Sequence, residues 1–397
     1  MGAALSKVEQ EYREKARHVA EKYMRPRSAQ CDRTGEYPRD VMQQIIQAGL
    51  MGVWIPKEYG GGGFGVMETC LIVEELSRVC GGLGVAFSVN ALGSFPIVLG
   101  GSEAQKKKYL PRIASGADFI SFALSEKSAG SDAGGMKTVA VRNGEDYVID
   151  GDKKWTTNAG VANLFTVFAS TDPSKGTRGI TAFEVERNHP GFTIGLREDT
   201  MGIRCVPIHE THYKQCRVPA ADRLGEEGKG FHLAMATLDR ARPSVAAQAV
   251  GVAQGALDLA AQFVSQRKQF GQKIGQFQAI QFMLADMGTQ VEAARQLVYA
   301  SARAVDGLEP GYSKLAAMAK VFASDTAMKV TTDAVQLFGG YGYVRDYPIE
   351  KYMRDAKITQ IYEGTNQVQR IVISREILKE AEAALADPAK VLVRPPE

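Results

Sequence analysis

No two cysteines in this 397-residue chain stand in a C-x-x-C spacing: Cys31, Cys70, Cys80, Cys205 and Cys216 are odd in number and far apart. That argues against a disulfide framework and for reduced thiols, as expected in a cytoplasmic or mitochondrial-matrix compartment. Charge of neither sign is in excess. Forty-eight Lys and Arg against 45 Asp and Glu leave a formal charge of +3, and Lys106-Lys107-Lys108 is the longest basic run. Nucleic acid is therefore not an expected partner. No apolar run is expected to reach the roughly 18 residues a membrane helix needs, and no secretory leader is expected before the polar helix near Ser6. Met1-Gly2-Ala3-Ala4-Leu5-Ser6 fits a myristoylation pattern only formally. Internal repeats and low-complexity linkers are missing too.

What is present is ordinary globular composition, 45% hydrophobic and 23% charged, in a chain long enough for two or three domains. From Ser6 to about Ala117 the pattern is helical: Val41, Ile45, Ile46, Gly49 and Leu50 recur at three-and-four spacing, as do Cys70, Val73, Leu76 and Ser77. From about Phe119 to Leu224 the texture turns to short β-rich runs such as 147–149, 164–168 and 179–185, with Asp150-Gly151 as a hairpin signal. Beyond Gly230 the spacing predicts long Ala-rich helices over roughly 231–265, 276–306 and 311–338. Val245, Val252 and Leu259 recur every seven residues, as in helix-on-helix packing. Segregated blocks predict an α+β fold: an N-terminal helical domain (1–118), a middle β domain (119–225) and a C-terminal helical bundle (226–397). The tail from about Asp387, with Pro388, Pro395 and Pro396, reads as frayed.

Several motifs have bland readings. Gly60 through Gly65 satisfies GxGxxG, but Pro56 and Lys57 interrupt the preceding run and no βαβ unit follows, so a flexible surface loop is expected. Cys205, His209, His212 and Cys216 would split between two faces of a strand, which does not suit one tetrahedral zinc. No metal site is expected. Ser125, Ser128 and Ser131 lack a GxSxG elbow, and His189, His209, His212 and His232 lack a triad context. Trp155 and Thr157 would share one face of a strand, able to stack on and hydrogen-bond a planar heterocycle; ordinary packing is the commoner use of such a pair. Gln336 through Gly342 fits a helix C-cap and equally a close approach of phosphate to backbone. Glu363, in Ile361-Tyr362-Glu363-Gly364-Thr365-Asn366-Gln367, stands at a glycine-opened corner between aliphatic-rich helical segments. Most Glu-Gly pairs are solvated helix ends, but an apolar corner would raise this carboxylate toward a working general base.

Together these segments resemble the acyl-CoA dehydrogenase family over almost the whole chain. The resemblance is carried by Ser125-Glu126 with Ala129-Gly130-Ser131-Asp132, Lys154 through Asn158, Arg267 through Gly271, Gln336 through Gly342, Met353 through Lys357, and Ile361 through Gln367. It implies FAD at the junction of β and helical domains, an acyl-CoA substrate, a homotetramer, and electrons passed to an electron-transfer flavoprotein. In that family the glutamate matching Glu363 removes the α proton while the β hydrogen leaves as hydride to flavin N5. The Glu363 N–H and a flavin ribityl hydroxyl would polarise the thioester carbonyl. Flavin contacts carry over to Phe122, Leu124, Ser125, Gly130, Ser131, Trp155 and Thr157, and to Thr365 and Gln367 beside the base. Arg267, Phe270, Gln278, Gln336, Gly339 and Gly340 match residues that reach the pyrophosphate and adenosine from a neighbouring subunit. CoA contacts carry over to Ser131, Asp239, Arg242 and Gly364.

Some relatives place the glutamate on the earlier helix; Ala241 stands at that position, which points to the short-, medium- or branched-chain group. Departures are Glu126-Lys127-Ser128 for the usual Glu-Pro-Gly, the atypical Val206 through Tyr213, and Gly84 where relatives acting on glutaryl-CoA carry an arginine. Gly84 is expected to leave room for bulk and to argue against a dicarboxylyl substrate. An oxidase or enoyl-CoA reductase on the same scaffold, or a non-catalytic flavin- or CoA-binding protein, are the alternatives.

Overall fold

The computed structural model describes residues 5–385; the opening Met1–Ala4 of the myristoylation-like pattern and the tail from Asp387 lie outside the described residues. A capping box starts α1 (Lys7–Val19): the Glu9 N–H donates to Ser6 Oγ at 3.1 Å, and the Ser6 N–H donates back to the Glu9 carboxylate at 2.6 Å. A π turn (Ala20–Met24) continues it, followed by α2 (Ser28–Thr34), α3 (Arg39–Gln47), α4 (Val66–Val79), α5 (Gly81–Gly100) and α6 (Glu103–Ala114). Val41, Ile45, Cys70, Val73 and Leu76 are buried, as their spacing requires.

Three expectations for this region need correcting. Helix α5 is a 20-residue stretch long and apolar enough to cross a membrane by length and composition. Yet 78% of its apolar window is buried inside the protein, where it acts as a core helix. Residues 60–65 are not a flexible loop: Gly62, Gly63 and Phe64 donate their N–H groups to the carbonyls of Gly52, Ile55 and Val53 at 3.1, 2.8 and 2.9 Å. Backbone paired in this way is ordered. Finally, Gly84 leaves no room for bulk, because a Cβ there would overlap Ser77 Oγ on α4. It marks close packing of α4 on α5.

The sheet comprises β1 (Ile120–Ala123), β2 (Val139–Asn143), β3 (Asp146–Thr156), β4 (Leu164–Ser170), β5 (Ile180–Glu186), β6 (Phe192–Arg197), β7 (His209–Pro219) and β8 (Arg223–Leu224). Its order is β6-β7-β3-β2-β4-β5-β8, with β1 parallel to β4 off that path. The hairpin is misplaced in the sequence reading. Asn143 pairs with Asp146, so Gly144-Glu145 makes the two-residue turn, with Gly144 at φ 64°. Asp150-Gly151 instead forms a bulge inside β3, where the register against β7 slips between Ile149 and Gly151. A second slip, between Lys153 and Thr156, puts Trp155 at φ 59°. Trp155 and Thr157 therefore do not stand two apart on a regular strand.

Three long helices follow close to their expected bounds: α7 (Gly230–Val264), α8 (Gln278–Asp306) and α9 (Tyr312–Phe338). A hairpin, β9 (Lys268–Gln269) with β10 (Gln272–Lys273), links α7 to α8, and α10 (Ile349–Lys357) and α11 (Asn366–Leu385) follow α9. Val245 and Val252 are buried and Leu259 partly so, giving α7 an apolar stripe against α4 and α9. The fold is α+β, with the sheet between two helical segments. All five cysteines are free and buried. Cys205 lies before β7 in the main core and Cys216 in the separate core of the sheet, so the two do not share a surface.

Candidate active site

Between α10 and α11 the chain makes a 3-10 turn (Ile358–Gln360) and then runs through Ile361-Tyr362-Glu363-Gly364-Thr365. Glu363 has φ 52° and Gly364 φ 94°, two left-handed residues in succession. Such backbone is costly for a glutamate and persists only where its surroundings over-determine it. Here they do. Gln369 Nε2 donates to the carbonyls of Glu363 and Gly364 at 3.2 and 3.3 Å, and Lys320 Nζ donates to the Gly364 carbonyl at 2.8 Å. Thr365 caps α11, its Oγ accepting the Val368 N–H at 3.3 Å. Tyr362 is anchored the other way, its hydroxyl donating to Gln248 Oε1 on α7.

The carboxylate so presented is half-buried, and its Oε2 is closed to water with no hydrogen-bond partner among the described residues. Burial disfavours its charge and pushes its pKa up to about 7, although Arg242 and then Lys320 pull the other way. The Glu363 N–H makes no hydrogen bond among the described residues. A proton acceptor poised near neutrality thus sits beside a free backbone donor, which is what proton abstraction next to a carbonyl requires.

Arg242, buried on α7, pairs with Asp239 and keeps an Nε without a partner among the described residues. Burial raises the Asp239 pKa, opposed by Arg242. The structure therefore brings Glu363, Gly364 and Arg242 into one neighbourhood. Ala241 is buried beside them and offers no titratable group.

The β-domain candidates form a second group. The Lys154 N–H donates to the Ser125 carbonyl at 2.9 Å and Ser121 Oγ to the Thr157 carbonyl at 2.7 Å, which sets Phe122–Ser125 beside Trp155–Thr157. Trp155 is 50% exposed, an indole presented to the outside by its left-handed backbone. Asn158, also left-handed (φ 63°), ties the group to α5 by donating to the Ala86 carbonyl at 3.1 Å. Phe122 packs on Phe168 with ring centroids 5.0 Å apart, and Leu124 is buried. The turn that departs from Glu-Pro-Gly is closed by reciprocal bonds between Glu126 and Ala129, leaving Gly130 and Ser131 exposed just beyond it.

A third group stands apart. Phe270 and Gly271, at φ 51° and 78°, make the tip of the β9–β10 hairpin, and Phe270 is 92% exposed. Arg267 lies over Tyr341, 5.1 Å from the ring centroid, next to Gly339 and Gly340; Gln278 and Gln336 are exposed on α8 and α9. Arg242 stands 22 residues before the end of α7 at Val264, roughly 33 Å at 1.5 Å per residue, and Arg267 lies beyond that end. One subunit does not bring this group to Glu363. Thr365 stays beside Glu363, and Gln367 is exposed on the first turn of α11.

Residues to which the sequence reading assigned no holding role are Lys320, Asn366 and Gln369, which hold the Glu363 turn, and Lys153 with Glu126, which hold the Ser125 loop. The signal for Lys320 was present: a lone cation in the Ala-rich run 316–323.

Comparison with known proteins agrees with this layout. Models of the acyl-CoA dehydrogenase N-terminal, middle and C-terminal domains match residues 6–117, 121–216 and 228–378. A probable acyl-CoA dehydrogenase, FadE25, from Mycobacterium tuberculosis is 48% identical over 93% of this chain and 95% of its own. Butyryl-CoA dehydrogenase from Megasphaera elsdenii has a structure with TM-score 0.93 and 44% identity, covering 95% of this chain and 100% of that one. A chain solved in work on the electron transferring flavoprotein of Acidaminococcus fermentans matches with TM-score 0.94 and 49% identity, over 96% of this chain and 100% of that one. Three matched domains in order and relatives of this identity over nearly full length leave one conclusion: the chain belongs to the acyl-CoA dehydrogenase family, FAD-dependent flavoprotein oxidoreductases.

Proposed function

We infer that this chain binds FAD and oxidises an acyl-CoA thioester of the short-, medium- or branched-chain type to its 2-enoyl-CoA, with Glu363 as the base. The observation that carries this reading is the Glu363 carboxylate itself: a left-handed, over-held residue whose Oε2 lacks a protein partner and whose pKa stands at about 7. A carboxylate in that condition takes an α proton near neutral pH, where an ordinary surface glutamate is too weak a base. The free N–H of Glu363 donates to the thioester carbonyl and so stabilises the charge that develops there. Arg242 meets the CoA portion with Asp239, Ser131 and Gly364, and its buried Nε has no hydrogen-bond partner among the described residues.

The residues present fit a flavin. Trp155 offers an exposed indole beside Ser125 and Thr157, and Gly130, Gly339 and Gly340 have open space where a side chain would stand. When bound, FAD supplies the acceptor for the β hydrogen, which leaves as hydride to N5. Phe122, Leu124, Ser125, Gly130, Ser131, Trp155, Thr157, Thr365 and Gln367 would hold it from one subunit. Arg267, Phe270, Gln278, Gln336, Gly339 and Gly340 would hold its pyrophosphate and adenosine from a neighbour, since the long α7 separates them from Glu363. An arginine fork suits a pyrophosphate. The proposed assembly is a homotetramer of chains divided into domains after residues 118 and 225, in the cytoplasm or the mitochondrial matrix, passing electrons to an electron-transfer flavoprotein.

The test is anaerobic addition of a panel of acyl-CoA thioesters to the holoenzyme. Bleaching of the flavin by at least one thioester, lost in Glu363→Gln while the flavin stays bound, is the expected result. No bleaching across the panel would favour a binding protein. Oxygen consumption exceeding flavoprotein reduction would favour an oxidase, and turnover only from the enoyl-CoA side a reductase.

A further inference from the structure

A single buried cation secures the turn that carries Glu363. Lys320 lies in the middle of α9 with its side chain wholly inside the protein, among Ala316, Ala317, Ala319 and Ala323. Its Nζ donates to the Gly364 carbonyl at 2.8 Å and to Asn366 Oδ1 at 2.9 Å, the acceptors on either side of Thr365. Asn366 is itself fixed, its Nδ2 donating to Ser324 Oγ and Asp325 Oδ1, both at 2.8 Å. Burying an ammonium is costly, and a methionine would fill the same space without that cost. The charge therefore answers to something at its tip.

We propose that Lys320 is a positioning residue for Glu363, holding the Glu363–Gly364 turn by the Gly364 carbonyl and supplying the buried positive charge that favours the ionised carboxylate. This rests on the reading of Glu363 as the base. The charged and titratable groups facing the pair are Arg242 and Asp239 from α7, Asp325 from α9, Arg370 from α11 and Tyr362 from the turn. Asp239 largely offsets Arg242, and Asp325 is engaged by Asn366, Gln360 and Arg370. Arg242 still acts on Glu363 more strongly than Lys320 does, but Lys320 forms no ion pair with any other carboxylate among the described residues. Burial pushes Lys320 down to about 7, with Glu363 opposing the shift, so the charges of the two groups change over one pH range.

The test compares wild type, Lys320→Met, Lys320→Arg and Glu363→Gln as flavin-loaded enzymes between pH 5.5 and 9.5. Lys320→Met is expected to lower kcat/KM roughly tenfold to a hundredfold near pH 6.5. Its acid limb should move up by at least about half a pH unit, because the carboxylate loses a stabilising charge. Amide hydrogen exchange over 361–369 should speed up in that variant, a readout independent of turnover. Lys320→Arg, which keeps the charge, should keep the limb. If Lys320→Met does not retain flavin, Lys320→Gln, a donor without charge, takes its place with the same expected limb shift. A rate that falls equally at every pH, or an unmoved limb, overturns the proposal while an inactive Glu363→Gln leaves the base reading standing. An active Glu363→Gln ends both.

Discussion

Lys153 places its Nζ 2.8 Å from Glu126 Oε1, and both side chains lie inside the protein. The pair staples β3 to the loop that carries Ser125, since Glu126 also accepts the N–H groups of Lys137 and Thr138 at 2.6 and 3.0 Å and Lys153 also donates to the Leu124 carbonyl at 3.1 Å. Every acceptor and donor of the pair is met, the condition under which a buried ion pair holds its place. Breaking it from one side leaves a lone buried charge. Glu126→Ala should therefore destabilise by about 3–5 kcal/mol and weaken flavin retention, measured by denaturant unfolding and by absorbance after gel filtration. A double change of both residues to methionine should recover most of the stability but not the loop geometry.

Glu363 is expected to lower stability where it is charged. Its folded pKa of about 7 lies above the ordinary glutamate value of 4.5, so between those values the folded state binds more protons and stability falls as pH rises. Glu363→Gln removes that penalty. The variant should be more stable than wild type at pH 8 by about 2–3 kcal/mol and no more stable at pH 4, in thermal melts at both. An equal effect at both pH values would mean the carboxylate is not desolvated.

Gly364→Ala should separate turn geometry from charge. The position has φ 94°, and a Cβ there would overlap Gln369 Nε2, the donor that holds the Glu363 carbonyl. Displacing that amide misplaces the carboxylate, so kcat/KM should fall about a hundredfold at all pH values with flavin content unchanged. Near-wild-type turnover would show that the left-handed turn is dispensable.

Gly84→Ala should destabilise without altering substrate choice, because its Cβ would run into Ser77 on α4 rather than into open space. Overpacking of this kind costs about 1–3 kcal/mol. A changed preference among acyl-CoA substrates with unchanged stability would contradict the packing described here.

Phe270→Asp should release subunits and flavin together. In the proposed assembly the almost fully exposed phenyl ring at this hairpin tip would meet the flavin of a neighbouring subunit. Light scattering is expected to show a smaller assembly than wild type and absorbance less bound FAD; an unchanged assembly with full flavin content would remove this residue from the proposed contact.

The order of helical, β-rich and helical blocks was legible because each periodicity is local: three-and-four spacing in α3 and α4, short β-branched runs in β4 and β5, and the seven-residue repeat Val245, Val252, Leu259 in α7. The hairpin was misread because Asn143-Gly144 and Asp150-Gly151 carry the same turn chemistry, and only cross-strand register against β7 shows that the second is a bulge. Gly84 was misread for a related reason, since a glycine in sequence does not show which neighbour its missing side chain would meet.

Sequence alone determined the family and which carboxylate to examine, since motifs in fixed order, the Ile361–Gln367 segment among them, are properties of the chain. It did not determine that carboxylate's chemistry. Desolvation, a left-handed backbone, and the convergence of Arg242 from α7 and Lys320 from α9 set the pKa of Glu363, and all depend on distances between residues far apart in the chain. A charge interacts through space and with the solvent removed around it, so only the packed fold could decide whether Glu363 was a solvated helix end or a base near neutrality.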